Sequence, residues 1–158
     1  MDYDYRQRGD LMELQFTGLD GILANLARLP LEENEENAVV TKGAKITQKA
    51  IVEEAPVGTE RKNKKGKVTY KPGSLKKNIK VKRAVDGVAV IHTGKAYHGH
   101  LIEFGRSAGS KMAKKNGKPQ KVTWGSTNAN PFFTRGFESS QNEAKQAMAN
   151  EIRKLKNL

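Results

Sequence analysis

Apolar residues recur along this chain in two rhythms, one of three to four residues and one of two. Leu19, Ile22, Leu23, Leu26 and Leu29 follow the helical rhythm. Thr17 with Asp20 supplies a start signal, and Pro30, which cannot donate the next backbone bond, ends this short amphipathic helix. Glu32, Glu33, Glu35 and Glu36 then open a second helix, with Val39, Gly43, Ile46 and Ala50 along one side, predicted to end at Ala55 before Pro56. A last helix begins at Pro131, with Phe133, Phe137, Ala144, Met148, Ile152 and Leu155 as its apolar stripe and Arg153, Lys154 and Lys156 near its carbonyl end.

The two-residue rhythm appears beyond the second helix. Ile79, Val81, Arg83 and Val85 alternate with polar neighbours as a half-buried strand does, after a helical turn at Ser74-Leu75-Lys76-Lys77. Asp86-Gly87 suits a tight hairpin turn, and the near-continuous apolar run Val88 to His92 predicts a central partner strand. Tyr97 to Phe104 fits helix and strand equally. Together these elements predict one α+β domain over residues 1–158: a small antiparallel sheet packed by a long N-terminal helix and a C-terminal helix, with long basic loops and residues 1–16 as a flexible arm.

Charge changes the picture between the elements. The 158 residues carry a formal net charge of +12, which attracts polyanions or acidic partner surfaces. Residues 57–73 join Lys62, Lys64, Lys65 and Lys67 to several glycines, and read as a long solvated loop or a mobile hairpin. Residues 106–130 hold Lys111, Lys114, Lys115, Lys118 and Lys121 with no acid, and read as a second basic loop. Loops this long generally have a job. Their lysines are candidate contacts to DNA or a protein partner, with Tyr70 and Trp124 able to stack on exposed bases. The competing reading is a surface that only keeps the chain soluble.

Other chemistry finds little support. There is no cysteine, which excludes disulfides and thiolate metal sites. His92, His98 and His100 have Glu103 as their one nearby carboxylate, too few ligands for an ordinary zinc site. A nuclease using His98, His100 and Glu103 is a third, weaker hypothesis. Ser74, Ser107 and Ser110 lack a nucleophile elbow, and no phosphate loop precedes a helix. No metal, cofactor or catalysis is expected. The polar N-terminus lacks a signal-peptide pattern and no apolar run spans a bilayer, so folding in a reducing cytoplasm away from membranes is the expectation.

Four segments carry a resemblance: Ala55-Pro56-Val57-Gly58-Thr59 at a helix end, Gly73 through Ile79 with Leu75 before a strand, Tyr97 through Glu103-Phe104-Gly105, and Asn130-Pro131-Phe132-Phe133 with Phe137-Glu138 at a helix start. In order and spacing they resemble the gene-product-ten-like tail-component family of tailed bacteriophages. That family's Thr-Gly pair is here split by Glu60 to Pro72, Asn78 stands for its Ser, and Arg135-Gly136 stands for its second Pro-Ala. The resemblance implies a structural, non-enzymatic virion protein at the head–tail junction, made in the host cytoplasm. It implies Pro56, Leu75, Tyr97, Glu103, Gly105, Pro131 and Phe132 as structural positions. The implied partners are connector, head-closure and tail-completion proteins, with the chain itself forming a homo-oligomeric ring, or staying monomeric until its platform exists. Non-specific contact with phage DNA through the loops is a further expectation, since a ring would repeat their charge as a positive belt.

Overall fold

The structure is a computed structural model that describes residues 5–8, 11–16, 31–62, 65–115 and 117–157. The helix expected over Leu19 to Leu29 lies outside the described residues. Four strands form one antiparallel sheet: β1 (Tyr5–Arg8), β2 (Leu11–Phe16), β5 (Lys80–Val85) and β6 (Val88–His92), in the order β1-β2-β6-β5. The 1–16 stretch, expected as a flexible arm, therefore contributes two strands, and Glu13 to Phe16 pair with Ala89 to His92. In β2 the apolar Met12, Leu14 and Phe16 alternate with Glu13 and Gln15, a period-two signal that the reading of residues 1–16 as an arm passed over.

The strand β6 is central, as its apolar run predicted, with Ala89 and Ile91 buried. Asp86 and Gly87 turn the chain between β5 and β6 with φ of 50° and 68°, the positive pair that a two-residue hairpin turn requires. The expected alternation of β5 fails at its end. Lys82 pairs with Val90 but Val85 pairs with Val88, so Arg83 and Ala84 together oppose Ala89. This bulge turns Ala84 into the core and leaves Val85 60% exposed.

Helix α1 (Glu33–Glu54) ends at Ala55 as predicted. Its buried residues Val39, Val40, Gly43, Ala44, Thr47 and Ile51 cover roughly 140° of its circumference at 3.6 residues per turn. That width serves two neighbours: α1 lies against β5 and β6 on one side and along the C-terminal helix on the other. The sequence stripe through Ile46 and Ala50 was displaced, because both are only half-buried while Thr47 and Ile51 face the interior.

The short helices α2 (Ser74–Asn78) and α3 (Gly99–Glu103) resolve, respectively, the expected turn and the ambiguous Tyr97–Phe104 segment as helix. The last helix, α4 (Phe132–Leu155), carries the predicted stripe and runs antiparallel to α1. Arg135 meets Glu54 at 2.9 Å at one end and Lys156 meets Glu35 at 2.6 Å at the other. Between them Ser140 Oγ donates to Thr47 Oγ1 at 3.2 Å. At Gly136 the helices touch backbone to backbone: a Cβ there would lie 2.5 Å from Ile51 Cα.

Both basic segments hold strands. β3 (Arg61–Lys62) and β4 (Val68–Tyr70) make a small irregular hairpin. β7 (Gly109–Lys115) and β8 (Lys118–Trp124) pair in unbroken register over seven residues each. The expectation of a basic loop at 106–130 is thus corrected: the segment is mostly a β-ribbon. Met112 and Val122 hinted at strand character, but the lysines between them masked the alternation.

Candidate functional site

Two of the segments singled out by the resemblance, Tyr97 through Gly105 and Asn130 through Phe133, meet in one structural knot. The turns Thr93–Ala96 and Ala96–Gly99 lead into α3, at whose end Glu103 is 2% exposed. Its carboxylate accepts the backbone N–H of Phe133 at 2.8 Å, the backbone N–H of Thr134 at 3.0 Å and the Thr134 hydroxyl at 2.6 Å. Pro131 holds the N-cap position of α4, is exposed, and has no side chain that could cap it. Glu103 therefore does from a distance what Ser or Asp usually does locally, and its charge meets the positive end of the α4 dipole.

Gly105 makes the next connection. Its φ is +74°, and a Cβ would come within 2.7 Å of Thr127 O and 2.8 Å of Ala129 N. Arg106 and Thr127 exchange two backbone hydrogen bonds at 2.8 and 2.7 Å, and Asn130 N–H donates to Ile102 O at 2.8 Å. Phe132 and Leu75 are fully buried in the same core, Pro56 is half-buried, and Tyr97 is 62% exposed with its ring edge-on to His98. The nuclease hypothesis needed Glu103 beside His98 and His100. Instead three donors hold that carboxylate, and the His100 ring is against Tyr97 O. Among the described residues no cluster of His, Asp and Glu could hold a metal ion.

The knot is also the footing of the β7–β8 ribbon, which packs mainly on itself. Trp124 stands at its base and not its tip. The indole N–H donates to Ser107 O at 3.2 Å, the ring lies against Gly109, and the Arg106 guanidinium is 5.5 Å above it. The sequence placed Trp124 among base-stacking candidates; the fold gives it an anchoring contact. Pairing sets Lys111 and Lys118 on one face of the ribbon and Lys114 and Lys121 on the other, all exposed. Both faces are cationic. Lys115 enters as a backbone position of β7, opposite Lys118.

In the first hairpin Lys62 is exposed and lies 3.2 Å from Glu60. Lys65 and Lys67 are exposed and each has an interaction partner, while Lys64 lies outside the described residues. The two basic segments thus differ: Lys62 is ion-paired with Glu60, whereas Lys111, Lys114, Lys118 and Lys121 make no ion pair among the described residues. Sequence reasoning missed the capping role of Glu103. The available signal was a helix opening on Pro131-Phe132 with no local capping residue, which requires a cap from elsewhere.

The described residues thus form an α+β scaffold with a buried structural carboxylate and a projecting cationic ribbon. The family follows from comparison: residues 20–105 match the model of the family described as "Bacteriophage HK97-gp10, putative tail-component". That is more than half of the chain, and the chain belongs to this family of phage tail components, which is not an enzyme family. The matched span includes Glu103 and Gly105 and ends before the ribbon and α4. Comparison with curated proteins and with solved structures found no match. No described helix is long and apolar enough to cross a membrane.

Proposed function

We propose that the chain is a structural component of the head–tail junction of a tailed phage or prophage, acting in head–tail joining or tail completion as a ring of identical copies. The observation that carries this reading is the family match over residues 20–105. The ribbon supports it physically. A rigid core with one well-anchored charged arm is suited to repeated contact in a ring, where each copy presents Lys111, Lys114, Lys118 and Lys121 to a neighbour. The partners on this reading are the connector, head-closure and tail-completion proteins, with phage DNA passing close to the positive belt. The second reading, a sequence-neutral nucleic-acid-binding protein, rests on the same lysines and predicts affinity of the isolated chain falling steeply with salt.

The test is a phage lacking the chain. Unjoined heads and tails, restored to joined particles by the wild-type chain in trans, are expected; normal joining without the chain overturns the reading.

A further inference from the structure

Away from both hairpins, α1 and the edge strand β5 enclose a groove of about 370 Å³. Lys42, Lys45 and Arg83 line it with Asn34, Asn37 and Thr41. Two hydrogen bonds fix its walls: Gly87 N–H to Asn37 Oδ1 at 3.0 Å, and Gln48 Nε2–H to Ile79 O at 2.9 Å. The helix therefore runs antiparallel to β5 with its register pinned near both ends. The bulge that sets Arg83 and Ala84 opposite Ala89 brings both residues to the groove wall.

This charge is uncompensated. Lys42, Lys45 and Arg83 make no ion pair among the described residues. From Asn37 to Val52 the helix carries no acid, and neither Glu36, between the lining residues Asn34 and Asn37, nor Asp86, at the β5–β6 turn, lines the groove. Three like charges gathered on one rigid cleft repel one another until an anion arrives. The polar lining suits phosphate oxygens. Asn37 Oδ1 is occupied by Gly87, so its amide N–H groups are left to donate, and Thr41 adds a hydroxyl.

We infer that this groove is a binding site for the phosphodiester backbone of duplex DNA, read without regard to sequence. Lys49 lies on the same helix face as Lys42 and Lys45 and continues their row. Lys42 to Lys49 spans about 10 Å of helix axis, a length over which one DNA strand presents about three phosphates. A row of cations of that length can neutralise several consecutive phosphates of one strand. The inference stands on the groove and holds whether or not the chain sits at a head–tail junction.

The experiment is fluorescence anisotropy of a short labelled duplex of mixed sequence, titrated with the full chain at several salt concentrations. The variants are Lys42→Glu/Lys45→Glu/Arg83→Glu, the milder Lys42→Gln/Lys45→Gln/Arg83→Gln, and a ribbon variant, Lys111→Gln/Lys114→Gln. Circular dichroism melting checks that each is folded, and the glutamine variant serves if the glutamate one is not. Neutralising the groove is expected to weaken binding about tenfold or more and to lower the slope of log affinity against log salt by about 2.7. Either no binding by the wild-type chain or an unchanged slope in the groove variant overturns the inference. So does unchanged DNA binding with loss of an acidic protein partner, which would make the groove a protein-docking site.

Discussion

The carboxylate of Glu103 and the backbone N–H of Phe133 lie 2.8 Å apart across 30 residues of chain. A side chain from one short helix thereby starts another, and the α4 N-terminus is tied to the α3 region and to the base of the ribbon between them. Replacing Glu103 by Ala leaves two helix N–H groups and a hydroxyl unmet, at a cost on the order of 3 kcal/mol. Thermal melting is expected to fall by roughly 10 °C. Glu103→Gln, which keeps an acceptor but loses the charge, is expected to fall by about half as much. Equal melting of wild type and Glu103→Ala would show that the cap is dispensable.

Gly136 inverts an ordinary rule. Gly to Ala in a helix usually stabilises by about 1 kcal/mol. Here the added Cβ would lie 2.5 Å from Ile51 Cα and 2.7 Å from Ile51 N, both backbone atoms that cannot swing aside. Gly136→Ala is therefore expected to destabilise by about 2 kcal/mol or more in urea unfolding, because α4 must lift from α1. A gain in stability would contradict the helix crossing.

Glu35 ties the far end of the same helix pair. Its carboxylate accepts a hydrogen bond from Lys156 and another from the backbone of Glu32, and these, with the charge of Lys156, hold its pKa below the ordinary value. A group with a depressed folded pKa contributes stability that is present above its unfolded pKa and is lost as pH falls through the folded one. Both side chains are partly exposed, so the effect is small. Lys156→Gln is expected to lower the urea midpoint at neutral pH and to differ less from wild type near about pH 3. An equal difference at both pH values would mean that the ion pair contributes nothing.

Trp124 predicts local behaviour. Trp124→Ala removes the indole bond to Ser107, the contact with Gly109 and the stacked Arg106, while touching none of the buried α1–α4 residues. Backbone amides of β7 and β8 are expected to exchange about tenfold faster, with those of α1 and α4 unchanged. Uniform acceleration through the chain would show that the ribbon is part of the core.

Helices longer than twenty residues were legible in the sequence because their stripes are long and their ends are marked by Pro56 and Pro131. The β5–β6 hairpin was legible from Asp86-Gly87. Three features were hidden for distinct reasons. The strand β1 is only four residues, Tyr5–Arg8, with no apolar alternation and β2 as its neighbour, while the alternation of Met12, Leu14 and Phe16 in β2 is short and was passed over in a stretch read as an arm. The β7–β8 ribbon alternates lysines with few apolar residues because neither face is buried, so no period-two hydrophobic signal arises. The exposed Val85 came from a bulge, which reverses faces without leaving a trace in hydropathy. As for the site, the lysines of the ribbon could be found from composition, whereas the groove of Lys42, Lys45 and Arg83 could not, since only tertiary packing brings α1 beside β5.

The central claim is a place in the virion, and immunogold electron microscopy of purified phage particles with antibody against this chain tests it most directly. The account predicts label confined to the head–tail junction, in a position common to all particles. Purified virions without label at that junction would contradict it.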